Sequence, residues 1–311
     1  MPAARRKTPE LNPQGIYLPV STPFQASGGV DTDAFRRNLT AWLEHPIAGV
    51  VVAGSTGEAP ILERSELLEL VEAARRATED RWIVAGTGSE STRRTIRWTV
   101  EVAAAGADAV LVRAPHYYLP AMTPVALHAY FTAVADASPV PVILYHIPKF
   151  VPVEIVPELV GELIEHPNIV GIKDSSGDLK SLGALTTACD GRGSVLVGSG
   201  AHLYPALELG ASGGVLGVGL LAPAMACELY EAWQVGRQAR AGKLQERLGP
   251  LHKRVVAQLG VPGVKAALDL LGLDGGPPRS PLLPLPERRV PDVEAALAAA
   301  GVLQPSGPAH S

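Results

Sequence analysis

Residues 82–114 begin with Trp82-Ile83-Val84-Ala85-Gly86-Thr87 and end with Ala109-Val110-Leu111-Val112-Arg113-Ala114. Between them a segment of helical length runs from Ser91 to Ala105 and stops at Gly106. The two outer runs are almost continuously apolar rather than alternating. Such runs suit strands covered on both faces, as in a parallel sheet. Ser91 is a natural N-cap and Gly106 a natural helix stop. The stretch therefore reads as one β-α-β unit, the crossover that parallel strands require.

The same rhythm extends in both directions. Further β-rich runs occupy residues 15–20, 49–54, 140–147, 169–174, 194–199 and 213–218. Residues 63–78 place Leu67, Leu68, Val71 and Ala74 on one helical stripe, with Glu66, Glu69, Arg75 and Arg76 largely opposite. Asp31 or Thr32 can cap the first helix, and Thr123-Pro124 reads as N-cap followed by Pro at N1. Eight strands alternating with helices predict an α/β protein, a parallel (β/α)8 TIM barrel. The alternative is a doubly wound open sheet, which often announces a nucleotide with a Gly-rich turn. Here Gly86-Thr87-Gly88-Ser89-Glu90-Ser91 lacks the third Gly, and Gly54-Ser55-Thr56-Gly57-Glu58 has no Gly-Lys-Ser/Thr ending. Both departures weigh against nucleotide binding.

The chain has 311 residues, and a barrel closes in about 250. After Val218 the rhythm changes. Residues 222–240, 243–259, 263–271 and 290–300 read as helices with no strand between them. The expected organisation is a disordered arm over 1–14, a barrel over 15–240, a C-terminal helical extension over 241–303 and a disordered tail over 304–311.

Composition narrows the function. With 47% hydrophobic and 19% charged residues, the chain is rich enough to build a core. A net charge of −4 gives no footprint for nucleic acid or an anionic membrane. Arg5-Arg6-Lys7 lacks the apolar region of a signal peptide, and no apolar stretch reaches the length of a membrane span. A cytoplasmic location is expected. Cys189 and Cys227 show no metal or redox spacing and are expected to be buried thiols. The eight His form no i, i+4 ligand pair, and Asp31, Asp33, Asp174 and Asp178 form no divalent-ion loop. Neither a metal nor a cofactor is expected.

In a barrel, reactive groups collect where strands end. That places Thr22, Ser55, Thr56, Thr87, His116, Tyr117, Tyr145, His146, Lys173, Asp174, Ser175 and Ser199 at one rim. Of seven lysines, only Lys173 lies inside a buried-looking strand. Desolvation favours a neutral amine, which is a nucleophile toward a ketone carbonyl. The competing reading pairs Lys173 with Asp174 or another carboxylate. Tyr145 ends the preceding strand and is either a proton shuttle for such an amine or a core tyrosine. Ser55 and Thr56, flanked by Gly54 and Gly57, either offer N–H and O–H donors to a carboxylate or form a plain turn. His116 and His146 are expected to shape the pocket or bind water.

Four motifs now stand in order: Gly54-Ser55-Thr56-Gly57-Glu58, Pro115-His116-Tyr117-Tyr118, Tyr145-His146-Ile147-Pro148 and Gly171-Ile172-Lys173-Asp174. With them, the chain over about residues 15–283 resembles the dihydrodipicolinate synthase/N-acetylneuraminate lyase family of class I aldolases. The resemblance implies a (β/α)8 barrel with a C-terminal helical extension, a homotetramer built from tight dimers, and no cofactor. It implies that Lys173 forms the Schiff base and Tyr145 moves protons. Ser55 and Thr56 would bind the pyruvate carboxylate and relay protons, and Tyr117 would reach across the tight-dimer interface. Gly198 and Leu216 would line the site, with Ser175 near the lysine. The partners implied are pyruvate and an aldehyde.

Within the family, the nearest likeness is to 4-hydroxy-2-oxoglutarate aldolase, which would release pyruvate and glyoxylate. It rests on residues 166–175, on Gly260-Val261-Pro262-Gly263-Val264-Lys265 and on Gly275-Gly276-Pro277. The alternatives are 4-hydroxy-tetrahydrodipicolinate synthase, which joins pyruvate to aspartate semialdehyde, a sugar-acid aldolase or dehydratase, and a catalytically silent pyruvate-binding member. Two departures bear on the acceptor. Phe150 stands where the synthases carry an Arg that meets a substrate carboxylate, with neighbouring Lys149 expected to point elsewhere. Thr56 stands where the aldolase relatives carry Asn.

Overall fold

Eight short strands close on themselves in chain order. They are β1 (Gly15–Pro19), β2 (Gly49–Val52), β3 (Trp82–Gly86), β4 (Ala109–Arg113), β5 (Val142–His146), β6 (Ile169–Asp174), β7 (Ser194–Val197) and β8 (Gly213–Val215). Each neighbouring pair is parallel, and β8 returns to β1. The computed structural model describes residues 13–303. The expected tail at 304–311 and residues 1–12 of the expected arm lie outside the described residues. Pro13 is buried and its carbonyl accepts a hydrogen bond from Ser194 Oγ at 2.5 Å.

Helices α1 (Thr32–Leu43), α2 (Arg64–Ala77), α3 (Thr92–Ala104), α4 (Pro124–Ala137), α5 (Pro157–Leu163), α6 (Leu179–Cys189), α7 (Leu203–Glu208) and α8 (Pro223–Gln234) follow the strands in turn. Their starts are where the side chains dictate. Asp31 accepts from the Ala34 amide, Ser91 from Arg94, and Thr123 from Ala126 ahead of Pro124. Every residue of β2, β5, β6 and β7 is buried. Outward side chains lie under helices and inward ones fill the barrel, so the alternation of a one-sided sheet is absent. The fifth strand starts later than its apolar run, because Pro141 has no N–H to give to a ladder.

The extension departs from its expected segmentation. Residues 222–240 are not one helix: α8 ends at Gln234, Gly236 turns the chain at φ 74°, and α9 (Gln238–Leu251) begins. Residue 240, the expected end of the barrel, lies inside α9. A π-helical segment, His252–Ala257, leads directly into α10 (Gln258–Leu270). Within α10, Gly260 adopts φ 63° and ψ −149° ahead of Pro262, and this kink swings the helix over the barrel mouth. Residues 290–299 form α11 (Val290–Ala299). Among the described residues, no helix is long and apolar enough to cross a membrane.

Candidate active site

At the C-terminal mouth of the barrel lies a cavity of about 290 Å³. Tyr145 and Lys173 are register partners on β5 and β6, so both side chains enter the cavity from adjacent strands. They are 6% and 4% exposed. The Lys173 Nζ lies 4.2 Å from the centre of the Tyr145 ring. The Tyr145 hydroxyl is 3.3 Å from Ser55 Oγ.

Asp174 is not the partner of Lys173. Its Oδ1 lies 2.8 Å from His146 Nδ1, and its Oδ2 accepts from Ser176 Oγ at 2.6 Å. The strand alternation turns Asp174 to the opposite face from Lys173. Among the described residues, Lys173 has no carboxylate within ion-pair distance. A buried amine with no counter-charge, open to a cavity, is suited to attack a carbonyl.

The turn carrying Ser55 and Thr56 is held at both ends by unusual backbone. Ala53 has φ 53° and Glu58 φ 60°, a region that costs an L-residue about 1–2 kcal/mol. Gly57, Glu58 and Ala59 donate their amides back into the turn, whereas those of Ser55 and Thr56 do not. Both residues line the cavity. Two hydroxyls and two amides near Lys173 form a cradle for a small carboxylate. Of the two hydroxyls expected to relay protons, the one that touches Tyr145 is that of Ser55.

Gly198, Ser175 and Ser199 are also brought to the wall. A methyl group on Gly198 would overlap Ser175 Oγ, so this close approach needs glycine. Leu216 is not brought there: its side chain is fully buried, while Val215 and Gly217 on either side face the cavity. Tyr117 is 77% exposed and outside the cavity of its own chain, because the loop after β4 carries it outward. Any role for it in a pocket needs a second copy of the chain. Thr87 bonds Thr99, and Thr22 donates to the Gly57 carbonyl. Cys189 and Cys227 are buried free thiols whose pKa burial pushes up to about 11, which removes them as nucleophiles.

Two wall residues had no usable sequence signal. His252 is buried on the π segment, with Nε2 3.3 Å from Ser199 Oγ. Burial, aided by His202, Lys149 and Lys253, pushes its pKa down to about 4, so a neutral imidazole faces the cavity. Lys149 was expected to point away, yet it lines the cavity beside Phe150. The chain turns tightly here, with the amides of Phe150 and Val151 both bonded to the Ile147 carbonyl. Lys149 Nζ donates to the Ala257 carbonyl at 3.0 Å, across the mouth.

A carboxylate clamp fixes the loop of Tyr117. Glu90 accepts the amides of His116 and Tyr117 at 2.7 and 2.9 Å and pairs with Arg113. Burial pulls the Glu90 carboxyl up, but these two amides and Arg113 outweigh it and hold its pKa below the ordinary value. A carboxyl lowered on folding contributes stability above its unfolded pKa, and loses it as pH falls through the folded one. Exchange protection of the His116 and Tyr117 amides, corrected for intrinsic rate, should therefore persist down to about pH 4.5 and be lost below. Loss already near neutrality would contradict the clamp.

A β6 lysine facing a β5 tyrosine at the mouth of a (β/α)8 barrel defines a carbon–carbon lyase of the class I aldolase type. The family described as "Dihydrodipicolinate synthetase family" matches residues 12–300, and the chain belongs to it. A 4-hydroxy-tetrahydrodipicolinate synthase of Methanothrix thermoacetophila is 37% identical over 273 residues, 88% of this chain and 92% of that one. The enzyme of the same name from Mycobacterium leprae is 37% identical over 284 residues, 91% and 93% of the two chains. Among solved structures, the chloride-inhibited dihydrodipicolinate synthase of Acinetobacter baumannii, complexed with pyruvate, superposes with a TM-score of 0.89 at 32% identity. The match covers 93% of this chain and 99% of that one. A prophage protein of the family from E. coli K12, also in complex with pyruvate, gives 0.87 at 28% identity, with the same coverage. These relatives do not support the 4-hydroxy-2-oxoglutarate aldolase reading. The synthase alternative fits them better.

Proposed function

We propose that this chain joins pyruvate to aspartate semialdehyde, the reaction for which its curated relatives are named. The observation that carries the pyruvate half is Lys173, buried, with no carboxylate partner among the described residues, and packed against the ring of Tyr145, whose hydroxyl meets Ser55. The pyruvate carboxylate sits on the Ser55-Thr56 turn, which directs C2 toward Lys173. The amine adds to C2, and loss of water leaves an imine. Removal of a C3 proton turns the imine into an enamine, whose C3 attacks the aldehyde carbon. Tyr145 carries protons in these steps and delivers one to the new hydroxyl. Water, or the amine borne by the acceptor, then displaces Lys173.

The acceptor half rests on the relatives' names and on Lys149. Phe150 offers no donor to the second carboxylate, but Lys149 does, from the same turn. Lys149→Met should raise the KM for aspartate semialdehyde about tenfold, the scale of one lost hydrogen bond to a charged group, and leave the KM for pyruvate unchanged. A panel of aspartate semialdehyde, glyoxylate and glyceraldehyde with pyruvate decides the acceptor through kcat/KM. Phe150 favours a second reading, an acceptor without that carboxylate, as in a sugar-acid aldolase. Glyceraldehyde as best acceptor, with Lys149→Met silent, would replace the first reading by the second.

A further inference from the structure

Behind the Ser55-Thr56 turn lies a buried pair of opposite charges, and neither member lines the cavity. Lys265 and Glu58 are each 2% exposed. Three oxygens surround Lys265 Nζ at 2.8 Å: Glu58 Oε1 and the carbonyls of Thr22 and Pro277. The Phe24 ring covers the ammonium, 4.6 Å from its centre. Glu58 Oε2 accepts the Arg279 amide at 2.9 Å, and the Arg279 guanidinium holds Glu66 at 2.5 Å. Four stretches far apart in the chain thus meet at one ammonium: the β1–α1 loop, the turn after β2, α10, and the strap around Pro277.

Such a pair is not explained by stability. Desolvating two charges is costly, and well-packed apolar residues of similar volume often serve as well or better. Its location suggests another use. Glu58 is two residues beyond Thr56 and holds the left-handed end of the strained turn. Lys265 follows Val264, which with Gly260 and Val261 forms the α10 wall of the cavity. Strained backbone persists only where its surroundings over-determine it, and here they do.

We propose that the Lys265–Glu58 pair is a positioning device, which holds the Ser55-Thr56 turn in its carboxylate-binding geometry and ties it to the α10 wall. This rests on the reading of that turn as the pyruvate carboxylate site. Because the pair acts through the turn, it governs capture of the 2-oxo acid first and, through the Ser55 hydroxyl that meets Tyr145, the setting of that phenol second.

The double variant Glu58→Gln/Lys265→Met removes both buried charges at nearly constant volume, so neither is left unpaired. It should fold, as judged by its circular dichroism and thermal melt. Its KM for pyruvate should rise at least tenfold, kcat should fall by a smaller factor, and the KM for the aldehyde should be unchanged. Glu58→Gln alone, which is isosteric, supplies a second measurement should the double variant not fold; its KM for pyruvate should rise about threefold. Pyruvate KM values within the error of the parent, or equal rises for pyruvate and aldehyde, would overturn the proposal. Borohydride trapping of pyruvate on the parent separates the two layers. A parent that traps pyruvate on Lys173 beside variants of unchanged KM defeats the pair alone. A parent that traps none defeats the functional reading and the pair with it.

Discussion

Lys173→Ala should give a folded barrel whose turnover falls on the order of 10⁴-fold or more, about 5.5 kcal/mol of lost transition-state stabilisation. Among the described residues, no other amine near the cavity can take over. Lys149 Nζ is bonded across the mouth to Ala257, and Lys265 is enclosed by three oxygens behind the turn. The fold should survive because Lys173 leaves no carboxylate stranded when it goes, unlike one member of a buried ion pair. Lys173→Met keeps most of the buried stem and controls for the void that Ala leaves. Incubation with pyruvate and borohydride, followed by peptide mass mapping, should place the adduct on Lys173 in the parent and nowhere in either variant. Turnover by Lys173→Ala, or a parent adduct on a different lysine, would refute the assignment.

Tyr145→Phe should lower kcat by about 10²–10⁴-fold while changing the KM for pyruvate far less. The substitution preserves the ring that packs 4.2 Å from Lys173 Nζ and removes only the hydroxyl bonded to Ser55. Trapping of pyruvate at long times should persist, because the amine remains. Steady-state kinetics on the variant separate the two effects. An unchanged kcat would take Tyr145 out of the proton path, and a large rise in KM at constant kcat would make it a binding residue instead.

The barrel was legible because burial on both faces leaves a plain trace in the chain. Runs such as Ala109–Val112 stay apolar throughout, and helix signals such as Ser91 with Gly106 separate them. The extension was less legible. Nothing local distinguishes the turn at Gly236 from a tolerated mid-helix glycine, and the helical pattern around His252 hides its π segment. Lys173 was conspicuous as an ammonium within a core strand, and Tyr145 as a phenol near the end of the preceding one. Leu216 and Tyr117, carried over from the resemblance, do not reach the cavity of a single chain.

Strand identity and the presence of unusual side chains are thus properties of the local pattern, since solvent exclusion acts on each segment's own periodicity. Which groups meet is a property of closure. The Tyr145–Lys173 register joins strands separated by a helix, and the capture of Asp174 by His146 follows from that same register. The contact of Ser55 rather than Thr56 with Tyr145 and the arrival of Lys149 at the wall depend on tight turns, and that of His252 on the π segment, each bonded to a distant part of the chain. Side-chain direction in a turn is set by hydrogen bonds and packing supplied from elsewhere in the chain, and the periodicity of a short sequence window carries no record of them.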